Sequence, residues 1–313
     1  MITGLQFSVQ PAAAFLPNEV GCWSGVPEDV YHAAPGASNS SLRLLSENPR
    51  RYRLTRDGKL KPARATRDQL LGTAIHSVVN EGKNPSYHLR PDFYGPEKKP
   101  WNGNATECKV WLARHQDLPI LKADDVAMLK AVALCCKEDA RACRLLKSAI
   151  FEVTACARNE DLDAPYLLRC RPDIFGFDAD GYYFVETKST RDASTHVFAR
   201  EVYNRYYHVQ VALYHRILCR LTGGLVRPYI WAIEKDAEIP RSNLRQMSQA
   251  AIDAGGKVLD ERLRLLHRCE LSRTWPALPD YEPGDLIPYI DLPEYAYGDV
   301  EDLEGLTEAK ETE

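Results

Sequence analysis

The sequence predicts an α/β fold in which a central mixed β-sheet is flanked by helices. Two observations support this prediction. Residues 149–188 contain short apolar runs separated by turn residues, and helical periodicity occurs on both sides of them. From Ala149 onward, the expected order is three strands, one helix and one further strand. A strand meander followed by a helix and a returning strand gives a sheet with both parallel and antiparallel neighbours.

The segment before the strands is expected to begin irregularly and then to be helical. Prolines and glycines interrupt the first thirty residues, and the run 38–41 then supplies helix-capping side chains. Residues 84–105 are rich in Pro, Gly and Asn and are expected to form a loop. Helices are predicted from this capping run to Pro49, near Arg67–Asn80, over 106–116 and over 123–147.

The remaining elements follow from apolar runs and glycine signals. Asp180-Gly181 predicts a tight turn between two strands, Gly223-Gly224 ends a long helix, and Gly255-Gly256 is a possible helix break. Strands are predicted over Ala149–Arg158, Tyr166–Phe177, Tyr182–Lys188 and Val226–Ile233, and helices over 195–221 and 242–266.

Composition favours a cytoplasmic protein. Of the 313 residues, 44% are hydrophobic and 27% charged, and no apolar run approaches the ~18 residues of a membrane span. The N-terminus lacks the basic start and apolar centre of a signal peptide. The nine cysteines form no CxxC pair, which favours buried thiols over a zinc or iron–sulfur site.

Charge is distributed unevenly along the chain. Residues 281–313 carry eleven acidic residues and one lysine, a net charge of −10, which leaves +6 for residues 1–280 out of the total of −4. Between Arg50 and Arg67 there are eight basic residues and one acid. This basic segment suits either phosphate binding or a solvated loop. The acidic tail could mimic nucleic acid, contact a partner or keep the protein soluble.

The polar residues of chemical interest lie on two neighbouring strands. Asp173 precedes or begins one strand, and Glu186 and Lys188 share one face of the next, because side chains alternate along a strand. The Asp180-Gly181 turn folds the strands together, so that both carboxylates can converge on one cation. Such a site suits phosphodiester hydrolysis with Mg²⁺ or Mn²⁺, with the lysine orienting water or offsetting charge. The alternative is a surface Asp with an incidental Glu/Lys pair.

Three further positions support the site without deciding it. Gln210 and Tyr214 are four residues apart and share one helical face, although an amphipathic helix carries incidental polar residues as well. His76 lies in a helix with a strong apolar stripe, where a histidine is more often structural than a metal ligand.

Taken together, these segments resemble the RecE-type (exonuclease VIII-like) exonucleases of the PD-(D/E)xK nuclease superfamily, over about residues 28–218. The segments that carry the resemblance are, in order, VYHAAPG, SNSSLRLLSENPRRY, GTAIHSVV, EVTACA, RCRPDIFGF, FVETKST and YHVQVALYH. The resemblance implies a PD-(D/E)xK core formed by a single nuclease domain. The expected divisions are an irregular segment 1–28, a domain 29–275 (helical 29–148, sheet core 149–235) and an acidic tail 276–313.

The resemblance also implies roles for individual residues. His76, Asp173 and Glu186 match metal ligands, with the carbonyl of Thr187 a possible further ligand, and Lys188 matches the catalytic lysine. The match also places Gln210 and Tyr214 at the active site, and Glu152 is a weaker candidate because a strand-edge glutamate is an equal alternative. The residues assigned to DNA binding are Arg50, Arg51, Arg53, Lys59, Lys61 and Arg64.

The implied activity is Mg²⁺-dependent digestion of linear double-stranded DNA, 5′ to 3′, leaving 3′ overhangs for recombination in a phage or prophage. The implied partners are a single-strand annealing protein and other copies of the chain in a ring. No iron–sulfur cluster is expected, since only Cys219 and Cys269 follow the nuclease motifs. Two alternatives stay open: an endonuclease or single-strand nuclease in defence or repair, and a non-catalytic DNA-end-binding protein.

Overall fold

The computed structural model describes residues 7–60, 66–80, 82, 85–160, 166–235 and 238–278. Lys61, Arg64, most of the polar turn before Tyr166 and the acidic tail from residue 279 lie outside these residues. The helices are α1 Glu28–Ala33, α2 Asn39–Glu47, α3 Pro49–Arg56, α4 Arg67–Val79, α5 Thr106–Arg114, α6 Ala123–Glu138, α7 Ala140–Leu146, α8 Thr195–Asn204, α9 Tyr207–Thr222 and α10 Gln249–Ser272.

The strands divide between two larger sheets and two short pairs. They are β1 Gln10–Pro11, β2 Gly21–Ser24, β3 His88–Leu89, β4 Phe93–Tyr94, β5 Lys99–Pro100, β6 Ile120–Leu121, β7 Ala149–Phe151, β8 Thr154–Asn159, β9 Tyr166–Cys170, β10 Ile174–Asp178, β11 Gly181–Thr190, β12 Arg227–Glu234 and β13 Ser242–Gln246.

The central sheet is mixed, as the sequence predicts. Its strand order is β13-β12-β11-β10-β7. The β11–β12 pair is parallel and the other pairs are antiparallel. Helices α8 and α9 connect the two parallel strands, because parallel neighbours require a crossover rather than a hairpin. The α/β fold class with a mixed sheet and flanking helices is therefore confirmed.

A second sheet, of order β1-β2-β8-β9, stands beside the first. The runs expected as single strands, Ala149–Arg158 and Tyr166–Phe177, are each split between the two sheets. The first run breaks at Glu152-Val153, and the second breaks at the segment 171–173. The two breaks lie side by side in the paired strands, because the Glu152 N–H at the first break donates to the carbonyl of Asp173 at the second, at 3.1 Å. The paired strands thus bend together from one sheet into the other.

Apolar layers cover both faces of the central sheet. On β11, Phe184 packs into the core formed with α2, α9 and α10, whereas Tyr183 and Val185 pack into the core formed with α4, α6 and α7. Glu186 and Lys188 share one face of the sheet, as the sequence predicts, and this face is the α9 side, whereas Thr187 lies on the α4 side. None of the helices in the described part of the chain combines the length and the apolar composition of a membrane span.

Several helical expectations need correction. Helix α2 ends at Glu47, before Pro49, but Pro49 is also the first residue of α3. The Asn48 side chain caps α3 by accepting the Arg51 N–H, and proline is tolerated in the first turn because its position there needs no N–H donor. The helix expected over 195–221 is interrupted at Tyr206, which has a φ of 58°. Similarly, the helix expected over 123–147 divides at Asp139 into α6 and α7.

The C-terminal part of the domain also differs from expectation. Residues 242–246 form the edge strand β13 instead of helix, and α10 begins after the cap Ser248. Gly255-Gly256 does not break α10. A Cβ at Gly255 would lie 2.3 Å from the carbonyl oxygen of His208, so this glycine allows α10 to pack closely on α9. At the N-terminus, β1, β2 and a short 3₁₀ helix lie in the segment expected to be irregular.

Candidate active site

The bend between the two sheets collects charged side chains. Pro172 cannot donate a ladder hydrogen bond, which favours a break beside it. Across the bend, Glu152 has a φ of 53°, a left-handed conformation that is rare for a residue other than glycine. At these two interruptions, Glu152 and Asp173 leave the regular strands and approach each other.

Asp173 lies opposite Glu186 of β11. The register Ile174↔Val185 continues to this pair, so the backbone brings both carboxylates together. Asp173 Oδ2 accepts the backbone N–H of Thr187 at 2.7 Å, and the Asp173 N–H points to Glu186 Oε1 at 3.4 Å. Asp173 is 8% exposed and Glu186 is 1% exposed, so the charges of both require partners.

Glu186 has its partners on the α9 side. Lys188 Nζ lies 2.9 Å from Glu186 Oε2, and Gln210 Nε2 donates to the same oxygen at 2.7 Å. Gln210 also donates to the hydroxyl of Tyr214 at 3.1 Å. The amide therefore links the tyrosine to the carboxylate, and α9 contributes a polar face to the site.

Helix α4 supplies the histidine from the other side. His76 Nδ1 lies 3.4 Å from Asp173 Oδ1. One turn later Asn80 accepts the Thr187 hydroxyl at 2.9 Å, which fixes α4 to the strand that carries Glu186 and Lys188. No sequence motif singles out Asn80, although its position at the end of α4 marks it as a capping residue.

Three side chains approach closely enough to hold one metal ion. His76, Glu152 and Asp173 each offer a ligand atom, and these atoms lie within 4.8 Å of one another. Two carboxylates and one imidazole suit a divalent cation such as Mn²⁺ or Mg²⁺. Glu186 is not part of this triad, and one of its oxygens, Oε2, is contacted by both Lys188 and Gln210. Glu152, the weaker candidate from the sequence, is therefore one of the three grouped ligands. We call His76, Glu152, Asp173, Glu186 and Lys188 the strand-bend cluster.

Two neighbours of the cluster were not singled out by the sequence. Arg171 Nε donates to Glu152 Oε2 at 2.6 Å and so fixes the direction of that carboxylate. Lys188 Nζ lies 5.1 Å from the centre of the Tyr207 ring, a cation–π distance. Tyr207 stands three residues before Gln210, so the same helical spacing that identified Tyr214 could have identified it.

The proximity of these groups alters their pKa values. Burial and the charge of Asp173 raise the pKa of Glu186 from 4.5 to about 7, although Lys188 lowers it. Burial raises the pKa of Asp173, but His76 and Lys188 outweigh it and hold this pKa below its ordinary value. Burial lowers the pKa of Lys188, yet Glu186 and Asp173 raise it further, so the ammonium stays charged. Perturbed carboxyls of this kind are typical of functional sites.

The cluster opens into a cavity of about 440 Å³, which we call the cluster cavity. Its wall includes Glu152, His76, Gln210 and Tyr214, together with the N-terminal turn of α2. The assigned DNA-binding residues that the structure describes, Arg50, Arg51, Arg53 and Lys59, do not line it. They lie on or just after α3, where Arg53 and Lys59 pair with Asp57 at 3.1 and 3.8 Å.

The fold and the cluster define a PD-(D/E)xK-like domain. Residues 38–280, which are 243 of the 313 residues, match the family described as a PDDEXK-like domain of unknown function (DUF3799). The chain belongs to this family. No curated protein matches the chain by sequence.

A solved structure shows a similar fold. The crystal structure of a candidate exonuclease from Eubacterium rectale, at 2.19 Å resolution, has a TM-score of 0.54 and 11% identity. The match covers 84% of this chain and 93% of that chain, and at this identity it shows the fold alone. The crystal structure of SSO0001 matches with a TM-score of 0.27 and 12% identity, over 45% of this chain and 58% of that one, which is too weak to support an argument.

Proposed function

We propose that this protein is a metal-dependent nuclease that degrades linear double-stranded DNA from its ends. The observation that carries the proposal is the strand-bend cluster. Three carboxylates, a histidine and a buried lysine converge on one bend of a PD-(D/E)xK-like sheet. The family match supports a nuclease of this superfamily, and the exonuclease-like neighbour is consistent with action at DNA ends.

The donor set of the cluster fits a divalent ion. His76, Glu152 and Asp173 would hold it, with Glu186 and the Thr187 carbonyl as further candidates. When bound, such an ion supplies a hydroxide at neutral pH and offsets charge on phosphate oxygens. We assign Mg²⁺ as the working ion, with Mn²⁺ as an alternative that the imidazole ligand favours.

The other residues of the site supply positive charge or fix the positions of neighbouring side chains. Lys188 presents a permanent positive charge that Glu186 and Tyr207 keep in place, so that it stabilises negative charge developing on phosphate. Gln210 fixes the Glu186 carboxylate, and Tyr214 fixes Gln210. On this basis Lys188, Asp173 and Glu186 carry the reaction, and Gln210 and Tyr214 position them.

The finer features of the proposal rest on the RecE-type resemblance. They are 5′ to 3′ direction, 3′ overhangs for an annealing protein, a ring-shaped homo-oligomer, and action in the cytoplasm during phage recombination. The proposed organisation is one nuclease domain over 29–275 followed by the acidic tail. The segment around α3 would bind phosphates, so substitution of Arg50 and Arg51 should reduce the salt dependence of DNA binding.

The test compares three proteins on two substrates. Wild type, Lys188→Ala and the exposed control Lys130→Ala are incubated in Mg²⁺ with end-labelled linear duplex and with covalently closed circular DNA. We expect wild type and the control to digest only the linear DNA, and Lys188→Ala to be at least ~100-fold slower. Cleavage of closed circles would identify an endonuclease. DNA binding without any cleavage would identify an end-binding protein, and equal rates in all three proteins would contradict the assignment of Lys188.

A further inference from the structure

Two buried polar side chains adjoin the candidate metal site without lining the cluster cavity. Asn80 caps the end of α4 and is 5% exposed, and Thr187 lies on β11 and is fully buried. The Thr187 hydroxyl donates to Asn80 Oδ1 at 2.9 Å. We call these two residues the Asn80–Thr187 pair. Neither side chain belongs to the triad of grouped ligands, so any effect of the pair on a metal ion passes through other residues.

The Asn80–Thr187 pair closes a ring of polar contacts that includes two of the three grouped ligands. On the strand side, the Thr187 N–H donates to Asp173 Oδ2 at 2.7 Å, and Asp173 Oδ1 lies 3.4 Å from His76 Nδ1. On the helix side, the Asn80 N–H donates to the carbonyl of His76 at 2.8 Å, one turn earlier in α4. The last turn of α4, which carries His76, is thereby tied to the strand bend at both ends of the ring.

The position of α4 on the sheet decides where the His76 ring lies. Helix α4 shares an apolar core with β11, to which Ile75 and Val185 both belong. Apolar burial is not directional, so it does not by itself fix the rotation of a helix or its position along a strand. A hydrogen bond does, because it requires a donor–acceptor distance near 3 Å and a favourable angle. In the part of the chain that the structure describes, the bond of the Asn80–Thr187 pair is the one side-chain hydrogen bond between α4 and β11.

The amide nitrogen of Asn80 argues against a purely stabilising role for this residue. Its Nδ2 atom is buried and has no hydrogen-bond partner among the described residues. A buried donor without a partner destabilises a fold, whereas an apolar side chain of similar size, such as leucine, carries no such penalty. Asparagine is therefore not the most stabilising residue at this position, and the benefit of its oxygen lies in the bond that ties α4 to Thr187.

We propose that the Asn80–Thr187 pair positions His76 for metal binding and thereby sets the preference of the site for Mn²⁺ over Mg²⁺. Mg²⁺ is a hard ion that takes oxygen ligands, whereas an imidazole ligand favours a transition-metal ion. The carboxylates of Glu152 and Asp173 remain when the histidine is displaced, so binding of Mg²⁺ depends less on the pair. This role of the pair rests on the proposed function for its metal ion, but it does not require that DNA is cleaved.

Calorimetric titration with Mn²⁺ and with Mg²⁺ measures this preference directly. Thr187→Val removes the hydroxyl donor, keeps the size of the side chain and leaves the backbone N–H and carbonyl in place. We expect it to weaken Mn²⁺ binding about tenfold and Mg²⁺ binding less than about threefold. Asn80→Leu should have the same effect, and the double variant should bind no more weakly than either single variant, because both changes remove the same bond. Thr187→Ser keeps the donor and should bind Mn²⁺ within about twofold of wild type.

Two controls separate positioning of the histidine from a general loss of structure. Asn159 is fully buried and, like Asn80, has an amide nitrogen without a partner in the described part of the chain, but it lies at the end of β8. Asn159→Leu should leave the Mn²⁺ affinity within about twofold of wild type, whatever its effect on urea unfolding. On a His76→Gln background, Thr187→Val should change the Mn²⁺ affinity less than about twofold, because the imidazole through which the pair acts is absent. The Thr187 variants decide the question even if Asn80→Leu does not fold.

The outcomes separate the role of the Asn80–Thr187 pair from the proposed function. Unchanged Mn²⁺ affinity in Thr187→Val would overturn this role, as would equal losses of Mn²⁺ and Mg²⁺ affinity or a full effect of Thr187→Val without His76. Absence of Mn²⁺ binding by wild type would overturn it together with the metal site. If the variants lose Mn²⁺ affinity as expected but wild type cleaves no DNA, the result supports the pair and contradicts the nuclease.

Discussion

Replacement of Lys188 by methionine should destabilise the metal-free protein increasingly as the pH rises. Lys188 and Glu186 form a buried ion pair. Lys188 Nζ lies 2.9 Å from Glu186 Oε2, and Glu186 is 1% exposed. Methionine keeps the length of the side chain and removes its charge. Glu186 would then be an ionised carboxylate without its cation, or would take up a proton.

The size of the effect follows from the pKa of Glu186, which rises from 4.5 to about 7 in the fold. A carboxyl whose pKa is higher in the folded than in the unfolded state does not lower the unfolding free energy at a pH below its unfolded-state pKa. Above that pH it destabilises the fold, and this penalty grows until the pH passes the folded-state pKa. In the wild type this penalty levels off above pH 7 at about 3 kcal/mol. Without Lys188 the folded pKa is higher still, so the penalty continues to grow by about 1.4 kcal/mol per pH unit.

Urea unfolding at pH 7 and pH 9 in EDTA measures this difference. Lys188 itself stays protonated over that range because its own pKa is raised, so its direct contribution is constant. We expect the destabilisation by Lys188→Met to increase by about 2 kcal/mol between the two pH values. The exposed control Lys130→Met should show no such increase. An equal destabilisation at both pH values would refute the electrostatic coupling of Lys188 and Glu186.

Three further predictions address the packing, the acid stability and the metal site. Gly255→Val should lower the unfolding free energy by about 3 kcal/mol in urea titrations, because its Cβ would lie 2.3 Å from the carbonyl oxygen of His208; an unchanged midpoint would contradict the close helix contact. Burial raises the pKa of Glu234, but backbone and arginine hydrogen bonds outweigh it and hold this pKa below its ordinary value, so Glu234→Gln should lower the unfolding free energy by about 2 kcal/mol near neutral pH, a loss that fades as the pH falls below about 4. Calorimetric unfolding at several pH values checks this, and a constant loss would contradict it. Glu152→Gln should raise the Mn²⁺ concentration needed for half-maximal thermal stabilisation by about tenfold, whereas the exposed control Glu261→Gln should leave it unchanged.

The sequence was sufficient for the central strands because their signals are local. Alternation places Glu186 and Lys188 on one face, and the Asp180-Gly181 turn sets the register that brings Asp173 opposite Glu186. The fold class follows from the same signals.

The bend between the sheets was not predicted, because the apolar run from Ala149 is nearly continuous. Only tertiary packing makes Glu152 adopt a positive φ there, although Pro172 signals the matching break in the partner strand. For this reason the sequence ranked Glu152 below Glu186 as a ligand, whereas the structure places Glu152 in the triad with His76 and Asp173.

Other differences arise where local propensity does not decide the backbone. Tyr206 interrupts the expected long helix without a glycine or proline, and Arg262 lies 5.0 Å from its ring centre. Residues 242–246 form a strand because β12 offers a free edge, which no local pattern reveals.

Calorimetric titration with Mn²⁺ tests the central claim, that the strand bend forms a divalent-metal site. Wild type is compared with Asp173→Asn, which keeps the size of the side chain, and with the exposed control Asp253→Asn. We predict that wild type and the control bind at least one Mn²⁺ per chain and that Asp173→Asn, folded by circular dichroism, does not. Absence of binding in the wild type, or equal binding in all three proteins, would contradict the assignment of the strand-bend cluster.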